Sequence, residues 1–136
     1  MLGIEKRLNI KFPKEYIDFI NNIDAENGKN IILLDEEENI VIKNFLSLDE
    51  EKEDSIIQIY NEYKSIMLEG VIPIATTEDE DYICLYYETD RENLPKVILW
   101  SYELALDQYG EGMLFVSNSF RRFMKKLLVQ GGYSIL

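Results

Sequence analysis

Val71-Ile72-Pro73-Ile74-Ala75, Thr76-Thr77-Glu78-Asp79-Glu80-Asp81 and Tyr82-Ile83-Cys84-Leu85-Tyr86-Tyr87-Glu88 form one continuous stretch of two apolar runs joined by a polar link. The first run is short and aliphatic, and the second is rich in aromatic and β-branched residues. Two such runs across a short polar link read as neighbouring strands. Pro73 has no N–H to give to a ladder, so its strand is either an edge strand or carries a bulge at Pro73. Four consecutive acids, Glu78 to Asp81, cannot all be buried unpaired, so the link is exposed.

Working outward, Lys96 to Tyr102 (KVILWSY) reads as a further strand, pairing with 82–88 across the polar loop 89–95. Upstream, 30–34 and 39–43 are short strands around Asp35-Glu36-Glu37-Glu38, which reads as an exposed hairpin loop. As a calcium loop that stretch fails: its required glycine falls at Ile40, and no glutamate occupies the twelfth position. Met113 to Val116 fits a brief last strand. Helices are expected near 14–23, 48–68 and 118–129. Pro13 opens the first, and Tyr16, Phe19, Ile20 and Ile23 line one face at i, i+3, i+4, i+7. Ser47-Leu48-Asp49-Glu50 has the form of a capping box for the second, whose first turns would hold Asp49 to Asp54 at the positive end of the helix dipole. Ser117 or Ser119 caps the third, with Phe120, Phe123, Met124, Leu127 and Leu128 inward. Arg121 and Arg122 on its other face either pair with acids elsewhere or are solvated.

A length of 136 residues fits one domain, 1–136, and a domain of that size buries roughly 68–70% of its unfolded surface. A single cysteine, Cys84, permits no internal disulfide. No apolar run approaches the ~20 residues of a membrane helix, and the opening MLGIEKRLN lacks a signal-peptide core. A soluble, cytoplasmic protein is expected. Charge is uneven: residues 1–23 carry net +1, 24–92 net −15, and 93–136 net +2, which together make the chain's −12. That field repels nucleic acid and anionic membrane. It attracts a basic protein partner and speeds the encounter. The plainer account of each acidic run is a solvated surface.

The chain has no histidine, which removes the commonest general base and zinc ligand and any Ser-His-Asp or Cys-His arrangement. Cys84, between Ile83 and Leu85, reads as a packed thiol. Trp100, the single tryptophan, reads as a core or core-edge anchor, with an interface hot spot as the alternative. Phosphate-binding glycine loops are absent from the sequence. Carboxylates could run a glycosidase-type hydrolysis only as a pair at defined spacing, for example Glu88 with Asp107. No catalytic residue, metal ligand or cofactor is assigned. The partner surface is expected at Glu36, Glu37 and Glu38 of the hairpin loop and at Glu78, Asp79, Glu80 and Asp81 of the central link. Tyr86 or Tyr87 would be its exposed aromatic centre. Asp49 to Asp54 carry less weight, because the helix dipole accounts for them. A monomer or weak homodimer is expected.

Several segments in order resemble the SUKH superfamily. Ile4-Glu5-Lys6-Arg7-Leu8 through Phe12-Pro13 to Tyr16 is similar to its opening, and Phe45-Leu46-Ser47-Leu48 to its "fLsl" segment. Ile72-Pro73-Ile74-Ala75 with Asp81-Tyr82-Ile83-Cys84-Leu85 resembles its central motif. Val97-Ile98-Leu99-Trp100 resembles its "Vylw" strand, and Ser119-Phe120-Arg121-Arg122-Phe123 its closing helix. Where the family often has glycine before the central aspartate, this chain has Glu80. It also has Tyr86-Tyr87 where the family often has an acid. The resemblance implies an α+β fold, with a mixed or antiparallel sheet of about five or six strands flanked by helices. It also implies a non-enzymatic role. Bacterial members are mostly immunity proteins that neutralise a cognate toxin, often a nuclease; a general interaction or regulatory module is the alternative.

Overall fold

In the computed structural model the two runs of the central stretch are β3 (Val71–Thr77) and β4 (Tyr82–Tyr86), paired antiparallel. The structure describes residues 3–22, 31–34, 39–88, 94–106, 112–129 and 133–134. The order along the chain is α1 (Gly3–Leu8), α2 (Lys14–Asn22), β1 (Ile31–Leu34), β2 (Asn39–Phe45), α3 (Ile56–Tyr63), β3, β4, β5 (Lys96–Trp100), α4 (Tyr102–Ala105), β6 (Met113–Ser117), α5 (Phe120–Lys125), β7 (Leu127–Val129) and β8 (Tyr133–Ser134). The fold is α+β. One sheet runs β6-β5-β4-β3-β2-β1-β7-β8, and every neighbouring pair is antiparallel. Among the described residues no helix is long and apolar enough to cross a membrane.

Pro73 resolves the choice that the sequence left open. β3 is an interior strand, flanked by β2 and β4, and the register slips between Pro73 and Ala75. The missing N–H is tolerated because the ladder is already broken there. The carbonyl of Ile74, inside the bulge, accepts from the Leu46 N–H at 2.8 Å.

Alternation along β4 and β5 divides the core. Ile83, Leu85, Val97 and Leu99 join the larger cluster with residues of α1, α2 and α5. Cys84, Ile98 and Trp100 face the other way, with Val71, Met67, Tyr63, Tyr82 and Tyr86. This is the period of two expected of a strand covered on both faces. Tyr16 and Phe120 meet edge-on at 5.3 Å, Phe12 and Tyr16 lie 5.0 Å apart, and Phe19 and Phe120 5.8 Å apart. Such pairs each contribute about 0.5–1.5 kcal/mol beyond the area they bury. Glu5 is buried, and its carboxylate accepts the Phe12 N–H at 2.8 Å, tying α1 to the segment that leads into α2. Cys84 is fully buried, and burial pushes its thiol well above the ordinary value, so it packs as an inert group.

Two helices are shorter than expected. The expected helix over 48–68 is α3 alone, and Ser55, not Ser47, is its N-cap, accepting from the Gln58 N–H at 3.1 Å. The Ser47 hydroxyl accepts from the Asp49 N–H at 3.0 Å, and the Asp49 carboxylate accepts from the Glu51 N–H at 3.1 Å. Local side-chain bonds of this kind compete with helix formation. The loop is also pinned through its backbone, by Ser47 N–H to Asp54 carbonyl at 3.0 Å and Ile56 N–H to Ser47 carbonyl at 2.9 Å. The expected helix over 118–129 stops at Lys125. Ser119 caps it, and Leu127 leaves it to pair with Leu33 of β1, where it is fully buried. A strand there satisfies the outer edge of β1, which another half-turn of helix would leave open.

Candidate partner-binding site

The central link is a tight turn. Thr77 N–H donates to the Asp81 carbonyl at 3.0 Å, Glu80 N–H to the Thr77 carbonyl at 3.1 Å, and Asp81 N–H to the Thr77 hydroxyl at 3.1 Å. Glu78 N–H reaches the Val41 carbonyl of β2 at 3.0 Å, fixing the turn to the sheet. Closing it requires a left-handed residue, and Glu80 takes that place with φ 65°. A residue with a Cβ is strained there.

Glu78, Asp79 and Glu80 are exposed, and Asp81 is half-buried. Glu36, Glu37 and Glu38 lie outside the described residues. Tyr86 is half-buried against the smaller core cluster. The expectation of an exposed Tyr87 is corrected: it is 2% exposed, and its hydroxyl donates to the Lys11 carbonyl at 2.7 Å. Tyr87 follows β4 and reaches under the opening segment, so it packs the core and leaves the surface list. Burial, then the nearby Glu5 carboxylate, raises its phenol above the ordinary tyrosine value.

The discount applied to Asp49 through Asp54 is also corrected. α3 has no acid in its first turn. Asp49, Glu51, Glu53 and Asp54 are exposed on the loop ahead of Ser55, so helix stabilisation does not account for them. Glu50 is the exception, half-buried and paired with Arg7 at 3.3 Å.

These corrections bring a different constellation together. A cleft of about 560 Å³ opens between the loop ahead of α3 and the β3–β4 turn. Glu53 and Asp54 stand on one lip and Glu80 on the other, with Lys43 and the aromatic side chains of Tyr63, Tyr82 and Tyr102 also lining it. Tyr63 lies 5.3 Å from Tyr82 and 6.1 Å from Tyr102, centroid to centroid. Tyr63 also lies 5.3 Å from Trp100, which is fully buried beneath. Trp100 is therefore a core anchor that backs the cleft and does not line it. Burial, then a hydrogen bond with Tyr63, raises the Tyr82 phenol above its ordinary value. The three rings supply apolar surface between acidic lips.

Reading the sequence put Tyr63 within the expected helix over 48–68, Tyr82 in a strand and Tyr102 at the end of the strand that begins at Lys96; Tyr102 instead opens α4, after β5 ends at Trp100. No spacing rule joins residues 53, 63, 80, 82 and 102; only the sheet order brings α3 over β3 and β4. Arg121 and Arg122 are exposed and pair with none of the described acids. Glu88, one member of the hydrolase pair, forms an exposed ion pair with Lys96 at 2.6 Å, and Asp107 lies outside the described residues. Among the described residues no three His, Cys, Asp or Glu side chains cluster so as to hold a metal ion. The acids of the cleft are thus spread along its lips and do not converge on a point.

A search among curated proteins finds no significant match. Residues 2–126 match the model of the SMI1/KNR4 family (SUKH-1), which spans the α-helical opening, the central strands and the closing helix described above, and the chain belongs to that family.

Proposed function

We propose that the protein is a non-catalytic binding module, an immunity protein that neutralises a basic toxin domain by occupying its functional surface. The observation that carries this reading is the acid-lipped, tyrosine-lined cleft of a chain with net charge −12. Family membership supports an immunity or interaction role. Toxic nucleases carry basic surfaces because they bind phosphates. An acidic inhibitor meets such a surface quickly and needs no catalytic group. The rings of the cleft offer what charge alone does not, a surface that gains by losing water. The binder acts in the cytoplasm, as a monomer or weak homodimer, before its partner is exported.

The test is to look for a toxin domain in the neighbouring genes, co-express it with the protein and isolate the complex. Survival of the cells and a one-to-one complex with a basic domain are the expected results. A neighbouring toxin that kills cells despite co-expression and does not bind would overturn the immunity role.

A further inference from the structure

The cleft has a shape and a charge pattern that select one kind of contact. We propose that it seats a single arginine side chain presented by the protein partner; this inference rests on the binding role proposed above. Glu53 and Asp54 from the loop ahead of α3 and Glu80 from the β3–β4 turn line one opening together with Tyr63, Tyr82 and Tyr102. Tyr102 is 46% exposed, so one ring is accessible to a planar group from solvent. A guanidinium stacks on an aromatic ring and forks its N–H donors toward carboxylates in the same plane. A lysine ammonium is a compact, strongly hydrated point charge that does neither as well. A bare metal ion needs converging ligands, and the described acids do not converge. An apolar side chain would strip water from the carboxylates and return nothing to them. An anion would meet three acids.

Lys43 lines the same cleft, is exposed, and makes no ion pair among the described residues. It repels an incoming cation and so sets the sign of a further effect. Removing it should strengthen binding, although it is a surface charge on the cleft itself.

The probe is N-acetyl-arginine amide, titrated into the full chain and followed by backbone and aromatic NMR shifts, with N-acetyl-lysine amide as the matched control. The expected result is a saturable shift at Tyr63, Glu80, Tyr82 and Tyr102, with Kd on the order of 1–10 mM. The lysine probe should bind about three-fold or more weakly. Tyr102→Ala should weaken the arginine probe about two- to five-fold, Glu80→Gln should weaken it by a similar factor, and Lys43→Ala should tighten it about two-fold. A non-saturating shift, equal binding of the two probes, or indifference to both Tyr102→Ala and Glu80→Gln would overturn the arginine seat. If that happens while reversal of Glu53 and Glu80 still slows association with the toxin, the binding role stands without it. If reversal has no effect either, the cleft is not the contact surface, and the binding role is decided by the co-expression test alone.

Discussion

Replacing Glu80 by glycine should stabilise the protein and weaken its binding at the same time. Glu80 holds φ 65° at the closing position of the β3–β4 turn. A left-handed residue with a Cβ is strained by about 1–2 kcal/mol, and glycine is not. Glycine's greater freedom in the unfolded chain takes back about 0.5–1 kcal/mol. The net gain is about 0.5–1 kcal/mol, or a rise of about 2–5 °C in Tm for a chain of this size. Glu80→Ala is the control. It removes the same charge from a chain of net charge −12 but keeps the Cβ, so the backbone strain remains. The difference between the two variants, read by urea unfolding and by thermal melting, isolates the backbone term. Binding should fall alike in both, because both lose the carboxylate. If Glu80→Gly is no more stable than Glu80→Ala, the strain assigned to Glu80 is not there, and glutamate is not held in that turn at the expense of stability.

Ser55→Ala should cost about 1 kcal/mol of unfolding free energy, since the buried hydroxyl caps α3 through the Gln58 N–H at 3.1 Å; an unaffected midpoint would contradict the later helix start. Tyr87→Phe should cost about 0.5–1.5 kcal/mol, because it leaves the Lys11 carbonyl without its donor at 2.7 Å, and it should leave partner binding unchanged. Stability should also fall at alkaline pH. The phenols of Tyr16, Tyr82 and Tyr87 are raised in the folded state, chiefly by burial, above an ordinary value of about 10. A raised folded value contributes stability that is fully present below the unfolded value and is lost as pH rises toward the folded one. Urea midpoints that stay level from neutral pH to well above pH 10 would contradict that burial.

Much of the fold was legible because its signals are local. β3, β4 and β5 are dense runs of strand-forming residues, and their pairing as successive hairpins needs only short links between them. Pro73 restricted its own strand to two possibilities, and the bulge was one of them. The misread elements turned on competition between local and long-range bonds. Ser47 followed by Glu50 satisfies the capping pattern, yet Ser47 is bonded to Asp49 and Ser55 does the capping. Leu127 continues a helical stripe, yet it is drawn into the sheet by the open edge of β1. The site was legible only in part. Charge pointed to Glu78, Asp79 and Glu80, which are exposed. The aromatic partners were sought next to them in sequence, at Tyr86 and Tyr87, and the cleft instead takes Tyr63 and Tyr102 from α3 and α4. Proximity of that kind depends on sheet order, which composition and periodicity do not encode.

The central claim is that the acidic cleft receives the partner, and stopped-flow association with the cognate toxin tests it most directly. Glu53→Lys with Glu80→Lys reverses both lips, and Asp18→Lys with Glu88→Lys reverses as many charges outside the cleft. At low salt the cleft variant should associate about ten-fold more slowly than the unaltered protein, the gap should narrow as salt shortens the screening length, and the control should lose far less. Equal on-rates for the unaltered protein and the cleft variant at low salt, or an equal loss in the control, would contradict it.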